Sequence, residues 1–256
     1  MENINWYGAY CLTLREVKRF LKVYNQTIFT PVVSALIFLT VFVLAIGTRR
    51  SDIAGIGFIN FMGYGLIAMG IIQNAFANSS SSLIMSKMLG YISDILVPPL
   101  GGVEIVIALT IGSIVRGMSV GAVIAIALLP FVDYNLVHPL LLLFYALTSC
   151  SFLGIVGIFS GLVANSFDQH SAITSYLITP LSFLSGTFYS VQTLPIIFQY
   201  INLLNPFFYI IDGFRYCFTG HADGSIAVGV SFLIVSNIIL YFIIVRLLDS
   251  GWRIKS

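Results

Sequence analysis

The side chains of this sequence that could move a proton, hold a metal or attack a substrate are few: three histidines, three cysteines and ten carboxylates. His138, His170 and His221 stand dozens of residues apart and no HExxH run occurs, so a zinc hydrolase has no ligand set here. Cys11, Cys150 and Cys217 form no CxxC pair, which supports neither a metal site nor a disulfide framework. No lysine follows a glycine, so the phosphate-cradling P-loop is missing and the chain cannot hydrolyse ATP by that route. The run Gly157-Ile158-Phe159-Ser160-Gly161 puts its serine one place too late for a nucleophile elbow. Asn165, Asp168, His170 and Ser171 make up the one polar group that could serve an intramembrane enzyme acting on lipid. On a short turn they read first as a helix cap, ahead of any catalytic role.

The elements that must position these residues follow from the scarcity of charge. Of 256 residues, 58% are hydrophobic and 9% charged, whereas a soluble domain has about a quarter charged. A soluble enzyme is excluded, and so is a disordered chain. A net charge of +2 leaves no electrostatic footprint for nucleic acid. Because a charge at the bilayer centre is costly, gaps between charges mark spans. Uncharged stretches of 26 residues (Lys22 to Arg49), 34 (Asp52 to Lys87), 34 (Asp133 to Asp168), 43 (Asp168 to Asp212) and 22 (Asp223 to Arg246) each exceed the roughly 20 needed to cross. The stretch from Ile105 to Val132 is broken only by Arg116, placed near a membrane face. Six spans result: Ile28 to Gly47, Phe58 to Ser79, Ser113 to Phe131, Pro139 to Val163, Ala172 to Tyr189 and Ser225 to Val245.

An even number of spans puts both termini on one side. Arg15, Lys18, Arg19, Lys22, Lys87, Arg246, Arg253 and Lys255 make that side cytoplasmic, against Arg49, Arg50 and Arg215 outside. Met1 to Tyr10 has no basic start and does not read as a signal peptide. The stretch reads instead as part of an interfacial helix, with Tyr10, Leu14, Val17 and Leu21 on one face and Arg15, Lys18, Arg19 and Lys22 on the other; a simple positive anchor is the alternative. Glycines at small-xxx-small spacing, Gly117 with Gly121 and Gly154, Gly157 and Gly161, read as helix-packing faces. No Asp or Glu falls inside a span, so a proton relay lacks its residues and any transport must be powered from outside the chain.

Two segments depart from span-and-loop. On the cytosolic side, Ser86 to Leu96 reads as a short helix stopped by Pro98-Pro99 and Gly101-Gly102, needing a partner or the chain's own first helix to pack against. On the outer side, the apolar pieces from Gly186 to Tyr216 are cut by Pro195 and Pro206 below span length and read as a re-entrant helical hairpin. Their aromatics suit either an interfacial belt or an outer gate.

This order of parts, with Gln26-Thr27 before span one, Ala75-Phe76-Ala77-Asn78 in span two, Arg116-Gly117, Pro180 to Tyr189, Leu194-Pro195, Asn205-Pro206 and Gly213-Phe214-Arg215, resembles the type-2 family of ABC exporter permeases, in its bacterial inner-membrane subgroup. The resemblance implies a single all-α permease domain over 1–256. Its parts would be an amphipathic interfacial helix (1–26), spans one to five (27–189) with a coupling helix near 86–97, an outer re-entrant segment (190–216), span six (225–245) and a cytosolic tail (246–256). It implies a multi-pass protein of the bacterial inner membrane that dimerises, with a second, identical copy as the expected partner. That dimer would contact membrane lipids and dock two separate ATP-binding subunits, which would bind the ATP and Mg. The chain itself is expected to hold no cofactor and to be no enzyme. By the same resemblance Ser86, Lys87, Met88, Leu89, Gly90, Tyr91, Ile92, Ser93 and Asp94 would contact the ATPase, with Lys87 and Asp94 as the charged contacts. Phe188, Tyr189, Leu194 and Pro195 would form an outer gate. A non-catalytic membrane scaffold is the competing reading.

Overall fold

Apolar runs of span length, each opened by a residue suited to a helix start, become the long helices of the computed structural model, which describes residues 5–46, 52–53 and 55–252. In order they are α1 (Trp6–Lys22), a π-turn (Asn25–Phe29) leading into α2 (Thr30–Ile46), α3 (Phe58–Met88), α4 (Ile92–Leu96), α5 (Gly102–Leu128) and α6 (Pro139–Val163). Then come α7 (Phe167–Ile173), a second π-turn (Thr174–Ile178), α8 (Thr179–Leu184), α9 (Ile196–Leu203), α10 (Pro206–Thr219) and α11 (Ile226–Asp249). A two-residue antiparallel ribbon, Asp52 opposite Gly57 and Ile53 opposite Ile56, precedes α3. The protein is an all-α membrane protein, and among the described residues five helical segments are long and apolar enough to cross a bilayer: Asn25–Ala45, α3, α5, α6 and α11.

Three expectations from the sequence change. The predicted fifth span, Ala172 to Tyr189, is a composite of α7, the π-turn and α8 that starts among Asp168, Gln169 and His170 and stops at Leu184, so it is not one of the five. It stops there because Gly186 takes φ +79°, a left-handed conformation that reverses the chain. The predicted third span starts at Gly102 rather than Ser113, with Glu104 favourably placed in the first turn of α5. Arg116 therefore falls at mid-helix, buried, with Nη2 donating to Asn74 Oδ1 at 3.2 Å. Finally, α3 runs past the predicted Ser79 to Met88, so Ser86, Lys87 and Met88 belong to its last turn and the short helix shrinks to α4. Gly47, Arg49, Arg50, Arg253 and Lys255 lie outside the described residues.

The core is built on α3. From Phe61 to Ile72 this helix carries only apolar residues, glycines and Tyr64, and every one is buried, the pattern of a helix that lipid and water do not reach. Met62, Ile72 and Ala75 accordingly have no exposed surface. Helices α5 and α6 pack along it and against each other, with α10 and α11 outside them and α2 on a further flank. The close approach runs through glycines. A Cβ on Gly117 would stand 2.7 Å from Cys150 Sγ, on Gly154 2.8 Å from Ser113 Cβ, on Gly161 2.7 Å from Leu83 Cβ, and on Gly157 2.5 Å from the Phe76 carbonyl. Gly121 likewise faces Ile71 without room for a methyl group. Lipid tails are as apolar as these side chains, so dispersion at short range is what holds such helices together. The approach also lets Ser79 Oγ donate to the Gly154 carbonyl at 2.6 Å.

Gly157→Ala must push against backbone, and the expected loss is about 1–3 kcal/mol, the usual cost of overpacking. Ile239→Ala, on a face of α11 that is 52% exposed, should shift stability by no more than about 0.5 kcal/mol. Thermal unfolding of both variants in one detergent checks the contrast.

Candidate functional site

At one end of the bundle, α1 lies lengthwise beside the start of α5. The side-chain oxygen of Asn5 caps α1 by accepting from Gly8 N at 2.9 Å, and the Asn5 amide donates to Glu104 Oε1 at 3.1 Å. With 3.6 residues per turn, the helix divides into three faces. Ala9, Leu12, Glu16 and Phe20 are buried; Trp6, Tyr7, Tyr10 and Leu21 form an exposed apolar face; Arg15, Lys18, Arg19 and Lys22 form a basic edge. The sequence shows the last two faces. It does not show that a third, centred on a carboxylate, turns inward between them.

Glu16 is fully buried where Gly112 of α5 leaves room for it. Its Oε1 accepts from Arg15 Nη2 at 3.1 Å and from Ser82 Oγ at 2.8 Å, and its Oε2 accepts from Arg19 Nε at 3.2 Å. Arg19 continues to α3, donating to the Asn78 carbonyl at 2.7 Å and to Ser81 Oγ at 3.2 Å. A buried carboxylate is tolerated because every contact it makes is with a hydrogen-bond donor. The signals available in the sequence were an acid three residues before Arg19 inside a basic stripe, and the serine run from Ser79 to Ser82 opposite it.

Between the basic edge of α1, the last turns of α3 and the start of α4 runs an open groove of about 870 Å³, lined by Arg15, Lys18, Arg19, Leu21, Lys22, Ser82, Met85, Ser86, Leu89, Tyr91 and Asp94. Of the nine predicted coupling residues the structure brings Ser86, Leu89, Tyr91 and Asp94 to this groove. Gly90 takes φ +78° and redirects the chain from α3 into α4, and Ser93 Oγ donates back to its carbonyl at 3.3 Å. Met88 is exposed, and Ile92 packs under the lower core. The ammonium of Lys87 donates to the carbonyls of Leu162 at 2.9 Å and Ala164 at 2.7 Å, capping the C-terminus of α6, where a cation complements the helix dipole.

At the opposite end, Phe188 joins two helices, its ring 4.8 Å from Phe42 of α2 and 5.4 Å from Phe183 of α8. Tyr189 donates its hydroxyl to the Leu184 carbonyl at 2.9 Å, Leu194 packs beside Val191, Phe208 and Tyr209, and Pro195 stands exposed before α9. The anchor beneath them is Arg215, which the sequence offered as an outside charge and as the end of the Gly213-Phe214-Arg215 motif. It is buried, with Nη2 donating to the Gly186 carbonyl at 2.7 Å and its guanidinium 3.6 Å from the centre of the Phe61 ring. Asp212 accepts from the amides of Asp223 at 2.8 Å and Gly224 at 2.9 Å, and Asp223 Oδ2 accepts from Ser190 Oγ at 2.8 Å and Val191 N at 2.9 Å. The cluster considered for lipid chemistry forms the start of α7: Ser166 Oγ accepts from Gln169 N, and His170 stacks on Phe76 with centroids 6.2 Å apart. That is cap geometry, with no nucleophile paired to a base.

Glu16→Ala leaves Arg15 and Arg19 without their shared acceptor. Because Arg15 and Arg19 are 39% and 27% exposed, water takes up part of the loss and the cost is about 1.5–3 kcal/mol, that of hydrogen bonds to a charged group; α1 should detach before the bundle melts. A cysteine at Leu12, 6% exposed in the native protein, should then react with a maleimide in the Glu16→Ala background and stay protected without it.

The sequence model of the ABC-2 type transporter family matches residues 8–219. Over its whole length the chain is 32% identical, across 259 aligned residues, to the inner membrane transport permease YadH of Escherichia coli K12, and the alignment covers 100% of both proteins. The YadH proteins of Escherichia coli O157:H7 and Shigella flexneri match with the same identity and coverage.

Proposed function

The chain belongs to the ABC-2 type transporter family, and from that premise we propose that it is the membrane-spanning permease subunit of an ATP-driven exporter, working as a homodimer with separate ATP-binding subunits in a bacterial inner membrane. The observation that carries the reading is the groove between α1 and α4 at the foot of α3. A force applied at α4 passes through the turn at Leu89 and Gly90 into the central helix, to which α5 and α6 are locked through glycine contacts. The partner binds ATP and Mg, and this chain turns its closure into movement of the helices that border the path between two copies.

The distribution of charge supports termini on the cytoplasmic side. Arg15, Lys18, Arg19, Lys22, Lys87 and Arg246 all lie at the end of the bundle where Lys87 meets α6 and where Gly102 N donates to Asp249 Oδ1 at 2.7 Å. Among the described residues, Arg215 is the one basic side chain at the other end, and it is buried. In this orientation the composite of α7, the π-turn and α8 serves as the remaining span and brings the count to six. Helices α9 and α10 dip back from the outer face, and Phe188, Tyr189, Leu194 and Pro195 close the path there. Lipid covers the exposed apolar faces of α2 and α11.

Gly90→Val separates coupling from folding. A Cβ at Gly90 meets nothing within 4 Å, yet φ +78° is a conformation a β-branched residue resists, at a cost of about 1–2 kcal/mol. The variant is expected to assemble with its ATPase and to lose the permease-dependent stimulation of ATP hydrolysis. Stimulation equal to wild type in the purified complex refutes the assigned role of this turn.

A further inference from the structure

We infer that Arg116 of α5 is the seat for the anionic group of a membrane-borne amphiphile, a phosphate or carboxylate carried on an apolar body. Such binding goes beyond the transport reading and does not rest on it. Arg116 stands midway along α5, about 20 Å from each end at roughly 1.5 Å per residue, too deep for its side chain to reach water by snorkelling. Among the described residues its hydrogen bond goes to a neutral acceptor: Nη2 donates to Asn74 Oδ1 at 3.2 Å, while Nε is buried without a partner. A guanidinium held at this depth with no counter-charge is costly, and charges of this kind in spanning helices mark binding sites and conduction paths.

No carboxylate of the fold supplies the missing charge. Among the described residues the ion pairs are those of Arg15 and Arg19 with Glu16. Glu16 is seated at Gly112, one turn below Arg116 on α5, and its oxygens already serve Arg15, Arg19 and Ser82. The seam between α3 and α5 has donors to spare instead. A Cβ on Gly112 would stand 3.1 Å from Asn78 Nδ2, which is buried and unpartnered like Arg116 Nε. Asn78 Oδ1 accepts from Arg19 Nη2 at 3.2 Å, which fixes the amide with its nitrogen on the Gly112 side. Spare donors beside an excess of positive charge call for an anion.

A second copy of the chain cannot bring one to this depth. Helices α2, α3 and α6 contain no Asp or Glu, and those of α5 and α11, Glu104 and Asp249, stand in a first and a last turn. A free inorganic anion would have to shed its water to enter, whereas an anionic head on an apolar body is drawn into the bilayer by its tail. Arg116 keeps 9% of its surface exposed, so the side chain is not sealed off from an incoming group.

The test is thermal unfolding of the purified full chain in dodecyl maltoside with three compounds: dodecyl phosphate, dodecanol with the same tail and no charge, and inorganic phosphate with the same anion and no tail. At about a hundredfold excess over its dissociation constant, dodecyl phosphate should raise the wild-type midpoint by about 5–10 °C, and the other two should leave it in place. Arg116→Gln should weaken dodecyl phosphate binding about tenfold or more, the loss of a hydrogen bond between charged groups. Asn74→Asp puts a carboxylate where Arg116 already donates, so it should fill the seat from within and abolish the shift. Wild type unmoved by dodecyl phosphate, an equal shift from dodecanol, or a shift that persists in either variant overturns the inference. So does a shift from inorganic phosphate as large as that from dodecyl phosphate, which would make the ligand a free anion. Should Arg116→Gln fail to fold, Asn74→Asp, which leaves the arginine in place, decides by the same outcomes.

Discussion

Helix α3 can sit at the centre because its neighbours carry almost nothing on the faces they turn toward it. Lipid offers the same dispersion contacts as protein, so helices gain by meeting only where they meet more closely than lipid chains could. Gly117, Gly121, Gly154, Gly157 and Gly161 provide that distance on α5 and α6, and backbone comes within reach of side-chain hydroxyls such as Ser79. Everything else hangs from this three-helix unit. The foot of α3 fixes the direction of α4, the start of α5 carries α1, and the upper end of α3 supplies Phe61 as the seat for Arg215.

The polar groups inside the bundle follow one rule at both ends: each buried charge ties together segments distant in sequence. Glu16 binds α1 to α3, and Arg215 binds α10 to the turn at Gly186. Asp212 and Asp223 fasten the turns at 190 and 224 in the same way. Apolar contact alone would let α1 slide along α5 with little penalty. A buried ion pair has one arrangement in which its hydrogen bonds are all made, so it fixes register even where its net contribution to stability is small.

Some of this was legible in the sequence. Pro139 to Val163 is found at its predicted bounds because proline opens the helix and an uninterrupted apolar run fills it. The glycine spacings are visible in the sequence, but such patterns also arise by chance, and it is the contacts of Gly117, Gly121, Gly154, Gly157 and Gly161 with neighbouring helices that show the close approach. The true end of α3 was hidden. Its tail carries Ser79, Ser80, Ser82 and Ser86, which lower hydropathy as a loop would, yet each is buried and several bond back to the helix, as Ser80 does to the Phe76 carbonyl and Ser86 to the Ser82 carbonyl, both at 2.8 Å. Lys87 and Glu16 were hidden for a related reason. A charge near a predicted boundary has water as its ordinary partner, and only the fold shows that α6 or α1 takes water's place.

The pairing of α1 with helices far along the chain also constrains the order of events during synthesis. Asn5 meets Glu104 across 99 residues, and Glu16 meets Ser82 across 66. Helix α1 is made before its partners and cannot take its seat until α3 and the start of α5 exist, and until then its carboxylate and arginines must stay hydrated. The buried contacts of this end therefore close together, once α3 and the start of α5 are both in place to receive Glu16 and Asn5.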